Sequence, residues 1–191
     1  MRIIAGSLRG RTFDAPTGQG TRPTTDRVRE SLMSSLFSAR GTFEGAQVLD
    51  AFAGSGALGF EALSRGASRA IFYECDPKAF KTLSRNAEKL GLDSRVATLN
   101  RADVMQRPPL FSRPPFDMVF LDPPYAYEAS EVFDMLSGML SRGVLSRDAL
   151  VVYEHAIDAN DAHDVHAPEH GFRLAQRKKY GDTVVDVLVV A

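Results

Sequence analysis

"LDAFAGSGALGFEA", residues 49–62, carries the turn on which the fold depends. The run 47–51, with Val48, Leu49 and Ala51, reads as a short buried strand. Gly54-x-Gly56-x-x-Gly59 follows it, and a helical pattern then runs to about Arg65, where Gly66 stops it. The next apolar run, 69–74, ends in Glu74, 20 residues past Gly54. Strand, glycine turn, helix and a second strand closed by an acid form a nucleotide-binding fingerprint. Glycines let the backbone approach a ligand closely, and the acid accepts from ribose hydroxyls. S-adenosylmethionine needs both features as much as a dinucleotide does. Asp50, four residues before Gly54, favours the methyl donor, because a carboxylate suits its ammonium and sulfonium and would repel a pyrophosphate.

Outward from this turn the pattern repeats. A helix is expected to enter at Arg22-Pro23-Thr24-Thr25, with Val28, Leu32, Leu36 and Phe37 on its buried face and Gly41 ending it. Asp76-Pro77 reads as the cap and first turn of another helix, which ends near Gly91. Further strands are expected over 95–99, 116–121 and 149–154, with a helix over 130–140. Strands alternating with helices imply an α/β fold with a mostly parallel sheet covered on both faces. The chain then changes character: 172–180 and 183–190 read as two strands joined by Gly181-Asp182, an antiparallel hairpin on the sheet.

"FLDPPYAY", residues 120–127, ends the fourth strand in Asp122-Pro123-Pro124-Tyr125. Ligands gather at the carboxyl ends of parallel strands. Two prolines give a rigid turn without N–H donors, so its acceptors dominate. Asp122 supplies a carboxylate, the Pro123 carbonyl a second acceptor, and Tyr125 a flat face for stacking. Such a set suits a planar group carrying an exocyclic amine, held with its lone pair toward a methyl donor. A nicotinamide oxidoreductase, which the glycine spacing alone would allow, leaves this turn without a role. A non-catalytic RNA-binding protein would have no need of Asp50, Gly54, Gly56, Glu74 and Asp122 together.

Composition narrows the class. The chain has 191 residues, 44% hydrophobic and 25% charged, as expected for one soluble globular domain. One cysteine, Cys75, excludes an internal disulfide and fits a reducing compartment. No signal peptide or membrane span is read, so a cytoplasmic protein is expected. His155, His163, His166 and His170 fall late, without metal-ligand spacing; they read as a polar surface loop, and no metal is expected. Net charge is −1 overall, yet residues 1–40 hold seven arginines and three acids, or +4. An arginine-only segment on an acidic body suits an anionic partner such as RNA phosphate.

Together these stretches carry a resemblance. Asp-Pro-Pro-Tyr after such a loop resembles the amino-group methyltransferases of nucleic acids and of glutamine side chains. "MRIIAGSLRGR", "RPTTDRVRESL", "LDAFAGSGALGFEALSRGA", "DPPY" and "YGDTVVDVLVV", in that order, resemble the bacterial RsmD family. The resemblance implies a Rossmann-like class I S-adenosylmethionine-dependent methyltransferase with a mostly parallel seven-stranded sheet, acting on the exocyclic N2 of one guanine in 16S ribosomal RNA. It implies a catalytic set of Asp122, Pro123, Pro124 and Tyr125. The donor would lie on Asp50, Phe52, Gly54, Gly56, Glu74, Cys75 and Asp103, with Glu74 on the ribose and Asp103 near the adenine amine. Residues 1–40 would then be an RNA-contacting extension, with Arg9, Arg11, Arg22, Arg27 and Arg29 on phosphates, and 41–191 the methyltransferase domain. A monomer acting on the small subunit or an assembly intermediate is expected. The alternative is an enzyme acting on DNA adenine or cytosine, or on a protein glutamine.

Overall fold

The structure, a computed structural model, describes residues 1–15, 26–124 and 126–191, apart from the side chains of Asn160 and Asp161. The expected helix start at Arg22–Thr25, and Tyr125, lie outside the described residues. Strands β1 (Gln47–Asp50), β2 (Arg69–Tyr73), β3 (Ala97–Asn100), β4 (Phe116–Leu121), β5 (Leu145–Ala156), β6 (Phe172–Tyr180) and β7 (Thr183–Val190) form one sheet in the order β3-β2-β1-β4-β5-β7-β6. Helices α1 (Asp26–Arg40), α2 (Ala57–Ser64), α3 (Pro77–Lys89), α4 (Ala129–Ser141) and α5 (Asn160–Glu169) complete the fold. Residues 1–104 and 105–191 form two compact units.

In the first unit β1 pairs with β2 and β2 with β3, all parallel. Parallel strands buried on both faces read as continuous apolar runs, and all four residues of β1 are buried. Asp76 caps α3 as expected: its Oδ1 accepts from the N–H groups of Lys78 (2.9 Å) and Ala79 (2.7 Å), with Pro77 in the first turn. Helix α1 departs from the expected stripe. Its buried side chains are Arg29, Leu32, Met33 and Leu36, while Phe37 is 54% exposed. The buried face is rotated so that it takes in Arg29 rather than Phe37.

Residues 1–14 fold onto this unit. Arg2 and Thr12 form an antiparallel bridge, which returns the chain on itself, and Ile3 and Phe13 are buried. Glu61, in the middle of α2 and 0% exposed, accepts from the N–H groups of Ile4 (2.9 Å) and Ala5 (3.1 Å) and from Arg65 Nε (2.9 Å). Gly6 has φ +86, and a Cβ there would lie 1.7 Å from the Ser64 carbonyl oxygen, so no side chain fits.

In the second unit β4 and β5 are parallel, β5 and β7 antiparallel, and β6 and β7 form the expected terminal hairpin. Helix α4 begins with a capping box between Glu128 and Glu131. The histidine segment is not the surface loop that its polarity suggests. Residues Asn160–Glu169 form α5, and His163 is buried. Its ring stacks on His155 at 3.7 Å, beside Asp186, which is 0% exposed. Asp186 accepts from Arg177 Nε and Nη2, both at 2.7 Å, and lies 3.1 Å from His155 Nε2. Burial, then the neighbouring His155, pushes the His163 pKa down to about 4, so its ring is neutral at physiological pH. Aromatic rings also cover this part of α5: Phe133 meets His163 edge-on at 5.7 Å, and the Tyr153 ring lies 4.2 Å from it.

Candidate active site

The glycine turn of the first unit is built by its own backbone and by two acids. Gly56 N–H donates to the Ala53 carbonyl (2.7 Å), and Ala53 N–H to that of Tyr73 (2.9 Å). Gly56 has φ +86, and a Cβ would meet Phe60 at 2.3 Å and Leu83 at 2.6 Å; this glycine is needed for close packing as well as for its backbone. Gly54 differs. Its φ is +53 and a Cβ there would meet nothing within 4 Å, so its backbone borders open space that a ligand can enter.

Glu74 locks this turn to the end of β2. One carboxylate oxygen accepts from Gly54 N–H (2.8 Å), and the other from Asp76 N–H (2.8 Å). The carboxylate is therefore oriented before any ligand arrives, with lone pairs left for hydroxyl donors. Asp50 is buried at the end of β1, where its Oδ2 accepts from Gly59 N–H (3.0 Å) in α2. Phe52 is half-buried in the turn, and Cys75 is exposed just past β2. Burial, then the charges of Glu74, Asp103 and Asp76, raise the Cys75 thiol pKa. Asp103, in the loop after β3, is thus near enough to Cys75 for its charge to be felt there. The thiol stays protonated at neutral pH and is no nucleophile.

The arginines divide. Arg9 and Arg27 are exposed. Arg11 is exposed too, but its guanidinium donates to the carbonyls of Leu90 (2.7 Å) and Lys89 (2.8 Å), holding the C-terminal end of α3. Arg29 corrects the sequence reading. Its side chain is 0% exposed, donates to Asp26 (2.9 Å) and the Arg2 carbonyl (2.6 Å), and lies over the Phe13 ring at 5.9 Å. A buried guanidinium reaches no phosphate; it joins α1 to residues 1–14. Arg22 lies outside the described residues.

In the second unit Asp122-Pro123-Pro124 leaves β4. The Pro124 carbonyl accepts from Tyr127 N–H (3.1 Å), which closes the turn. Asp122 meets solvent on one side, yet protein crowds the rest of it, and this desolvation raises its pKa to about 6. Its neighbour is a residue the sequence reading missed. Glu154 of β5 is raised to about 7, by burial first and then by the charge of Asp122. Beyond Glu154 the row continues through Val185 of β7 to Lys178 of β6.

The pair makes stability depend on pH. Both carboxyls hold their protons more tightly folded than at their ordinary values of 3.8 and 4.5. Their contribution is therefore fully present below about pH 4 and is lost as pH rises through 6 to 7. Relative to the double variant Asp122→Asn, Glu154→Gln, the melting temperature of the unaltered protein is expected to fall between about pH 5 and pH 8. A constant difference across that window would show that the two acids are not strained when ionised.

Comparison with known proteins places this geometry. The family described as Conserved hypothetical protein 95 matches residues 1–189. Ribosomal RNA small subunit methyltransferase D of Escherichia coli K12 is 35% identical over 196 aligned residues, covering 97% of this chain and 94% of that one. This chain belongs to the RsmD family. The methyltransferase D of Haemophilus influenzae is 38% identical over 157 residues, 81% of this chain and 78% of the other. Among solved structures, the methyltransferase yhhF of Escherichia coli superposes with a TM-score of 0.79 at 31% identity, over 100% of this chain and 97% of its own. A magnesium protoporphyrin IX methyltransferase from Synechocystis, solved with bound S-adenosylmethionine, shares the fold at 19% identity and a TM-score of 0.67, covering 91% and 87%. The RsmD chain described here thus has the class I methyltransferase fold. Among its described residues, no helix is long and apolar enough to cross a membrane.

Proposed function

We propose that this protein transfers a methyl group from S-adenosylmethionine to the exocyclic N2 of a guanine in 16S ribosomal RNA. Membership of the RsmD family supports the substrate class. The observation that carries the chemistry is Asp122, on a rigid Pro-Pro turn, as an acceptor whose basicity is raised by its surroundings. The glycine turn fits the donor: open space at Gly54, the fixed carboxylate of Glu74 for ribose hydroxyls, and Asp103 for the adenine amine. When bound, S-adenosylmethionine supplies an electrophilic methyl on a sulfonium.

An amine conjugated to a ring is a weak nucleophile, so orientation contributes most of the acceleration. Asp122 and the Pro123 carbonyl accept the two N2 hydrogens, and the nitrogen lone pair is left facing the methyl. The N–C bond forms as the S–C bond breaks, and the sulfur keeps the bonding electrons. The new cationic nitrogen then loses a proton to Asp122 or to water. Tyr125, outside the described residues, stacks on the base in this reading. Residues 1–40 act as the RNA-contacting extension and 41–191 as the catalytic domain. Arg9 and Arg27 serve as phosphate contacts, with Arg22 as a third, and the protein acts as a monomer on the small subunit or its precursor.

The test is methyl transfer from labelled S-adenosylmethionine to naked 16S RNA, to small subunits lacking this methyl group, to duplex DNA and to a protein extract. Nucleoside analysis is expected to place the label in N2-methylguanine of the subunit RNA. Label confined to DNA or to protein would retain the chemistry and reject the substrate.

A further inference from the structure

The Asp-Pro-Pro turn explains how an exocyclic amine is held, but adenine and cytosine carry such amines too. Discrimination has to come from what lies beside the turn. In β4 and β5, Phe120 pairs with Val152 and Leu121 with Tyr153, so the next positions in register are Asp122 and Glu154. Registered residues on neighbouring parallel strands project to the same face, about 4.8 Å apart. Two carboxylates therefore stand side by side at the carboxyl edge of these strands. Tyr153, the preceding residue of β5, is buried on the opposite face, and Glu154 is half-buried. The charge of Asp122 reaches Glu154, where it adds to burial in raising the pKa.

Above about pH 7, where both are ionised, the two carboxylates are adjacent anionic acceptors and call for two adjacent donors. Guanine offers them: N1–H lies next to the N2 amine on its Watson–Crick edge. Adenine places the N1 lone pair next to its amine, and cytosine the N3 lone pair, so a carboxylate at that position would meet an acceptor. A glutamine side chain has one amide NH2 and no second donor beside it.

We propose that Glu154 is the guanine-selecting residue, accepting from the base N1–H while Asp122 accepts from N2–H. This rests on the guanine-N2 reading above. Glu154 would then decide which base the Asp-Pro-Pro turn can use, and the strain of two neighbouring negative charges would be relieved when the base binds. A site built around a hydrogen bond rejects an analogue lacking the partner, because a buried polar group is left unmatched.

The experiment uses short RNA acceptors with guanine or 2-aminopurine at the target position. 2-Aminopurine keeps the 2-amine but has a lone pair in place of N1–H. The unaltered protein is expected to favour guanine in kcat/KM by about 10- to 100-fold, the usual range for one matched base contact. Glu154→Gln has nearly the same shape and offers an amide N–H to the lone pair. It should lose about tenfold or more on guanine and gain relative to it on 2-aminopurine, shrinking or inverting the ratio. An unchanged ratio in Glu154→Gln, or equal use of both bases by the unaltered protein, would overturn the assignment. The second of these arms needs no substitution, so misfolding of the variant cannot obscure it. If the unaltered protein methylates guanine yet does not discriminate, only the role of Glu154 falls. If it methylates no RNA guanine at all, the functional reading falls with it.

Discussion

Asp122→Ala is expected to lower kcat/KM for methyl transfer by about 10²- to 10³-fold while S-adenosylmethionine still binds within about threefold of its normal affinity. The magnitude is that of losing one preorganised polar contact to a centre where charge develops. Two measurements are required: label transfer to RNA, and equilibrium binding of the donor by calorimetry. In the proposed mechanism the carboxylate has two separable jobs, fixing an amine hydrogen and facing the nascent positive charge. Asp122→Asn keeps an acceptor oxygen in place and removes the charge, so it should fall between the alanine variant and the unaltered protein. Loss of donor binding in Asp122→Ala, with transfer failing only for that reason, would move Asp122 from the acceptor side to the donor side and reject the role proposed for it.

Glu61→Ala should be the most damaging single change to the first unit, at about 3–5 kcal/mol, the range for removing one member of a buried charged pair. Its carboxylate is fully buried and serves Ile4 N–H, Ala5 N–H and Arg65. Truncation leaves two backbone donors and a guanidinium without their acceptor, and opens a cavity in α2. Glu61→Gln keeps the shape and one acceptor oxygen, so its cost should be smaller. Denaturant unfolding gives the free energies directly. Limited proteolysis provides the local readout, with cleavage near residues 4–10 rising in Glu61→Ala before the rest of the chain opens. Equal protection in both proteins would mean that Glu61 does not anchor this segment.

The parts of the molecule that were legible in the sequence are those where local pattern and chemistry coincide. Gly54, Gly56 and Glu74 declare a turn and its closing acid. Asp76-Pro77 declares a helix start, and Gly181-Asp182 between two apolar runs declares a hairpin. Glu154 was illegible because an acid at a strand end looks like any solvated acid. Its meaning comes from the register of β5 against β4, which no local pattern encodes. Arg29 misled through composition: it adds to a positive charge count, but helical spacing sets it three positions before Leu32, on the buried side of α1. Helix α5 was hidden by His163, His166 and Pro168, which mask any apolar period, although His163 is buried. Glu61 is the one charged residue of helix α2, and that isolation was the one available signal that it serves something buried.

Asn86 of α3 gives the first unit a property that neither its motifs nor its charges announce. Its side-chain oxygen accepts from Asp14 N–H (2.8 Å), and its amide nitrogen donates to the carbonyls of Asp14 (3.0 Å) and Ser55 (2.9 Å). One side chain therefore ties the segment that carries Arg9 to the turn bordering Gly54. A ligand that steadies one end through this side chain would steady the other, and thermodynamic reciprocity would require the effect to run equally in both directions. Methyl donor and RNA should then bind with positive cooperativity in either order of addition, and Asn86→Ala should uncouple them while leaving each able to bind alone.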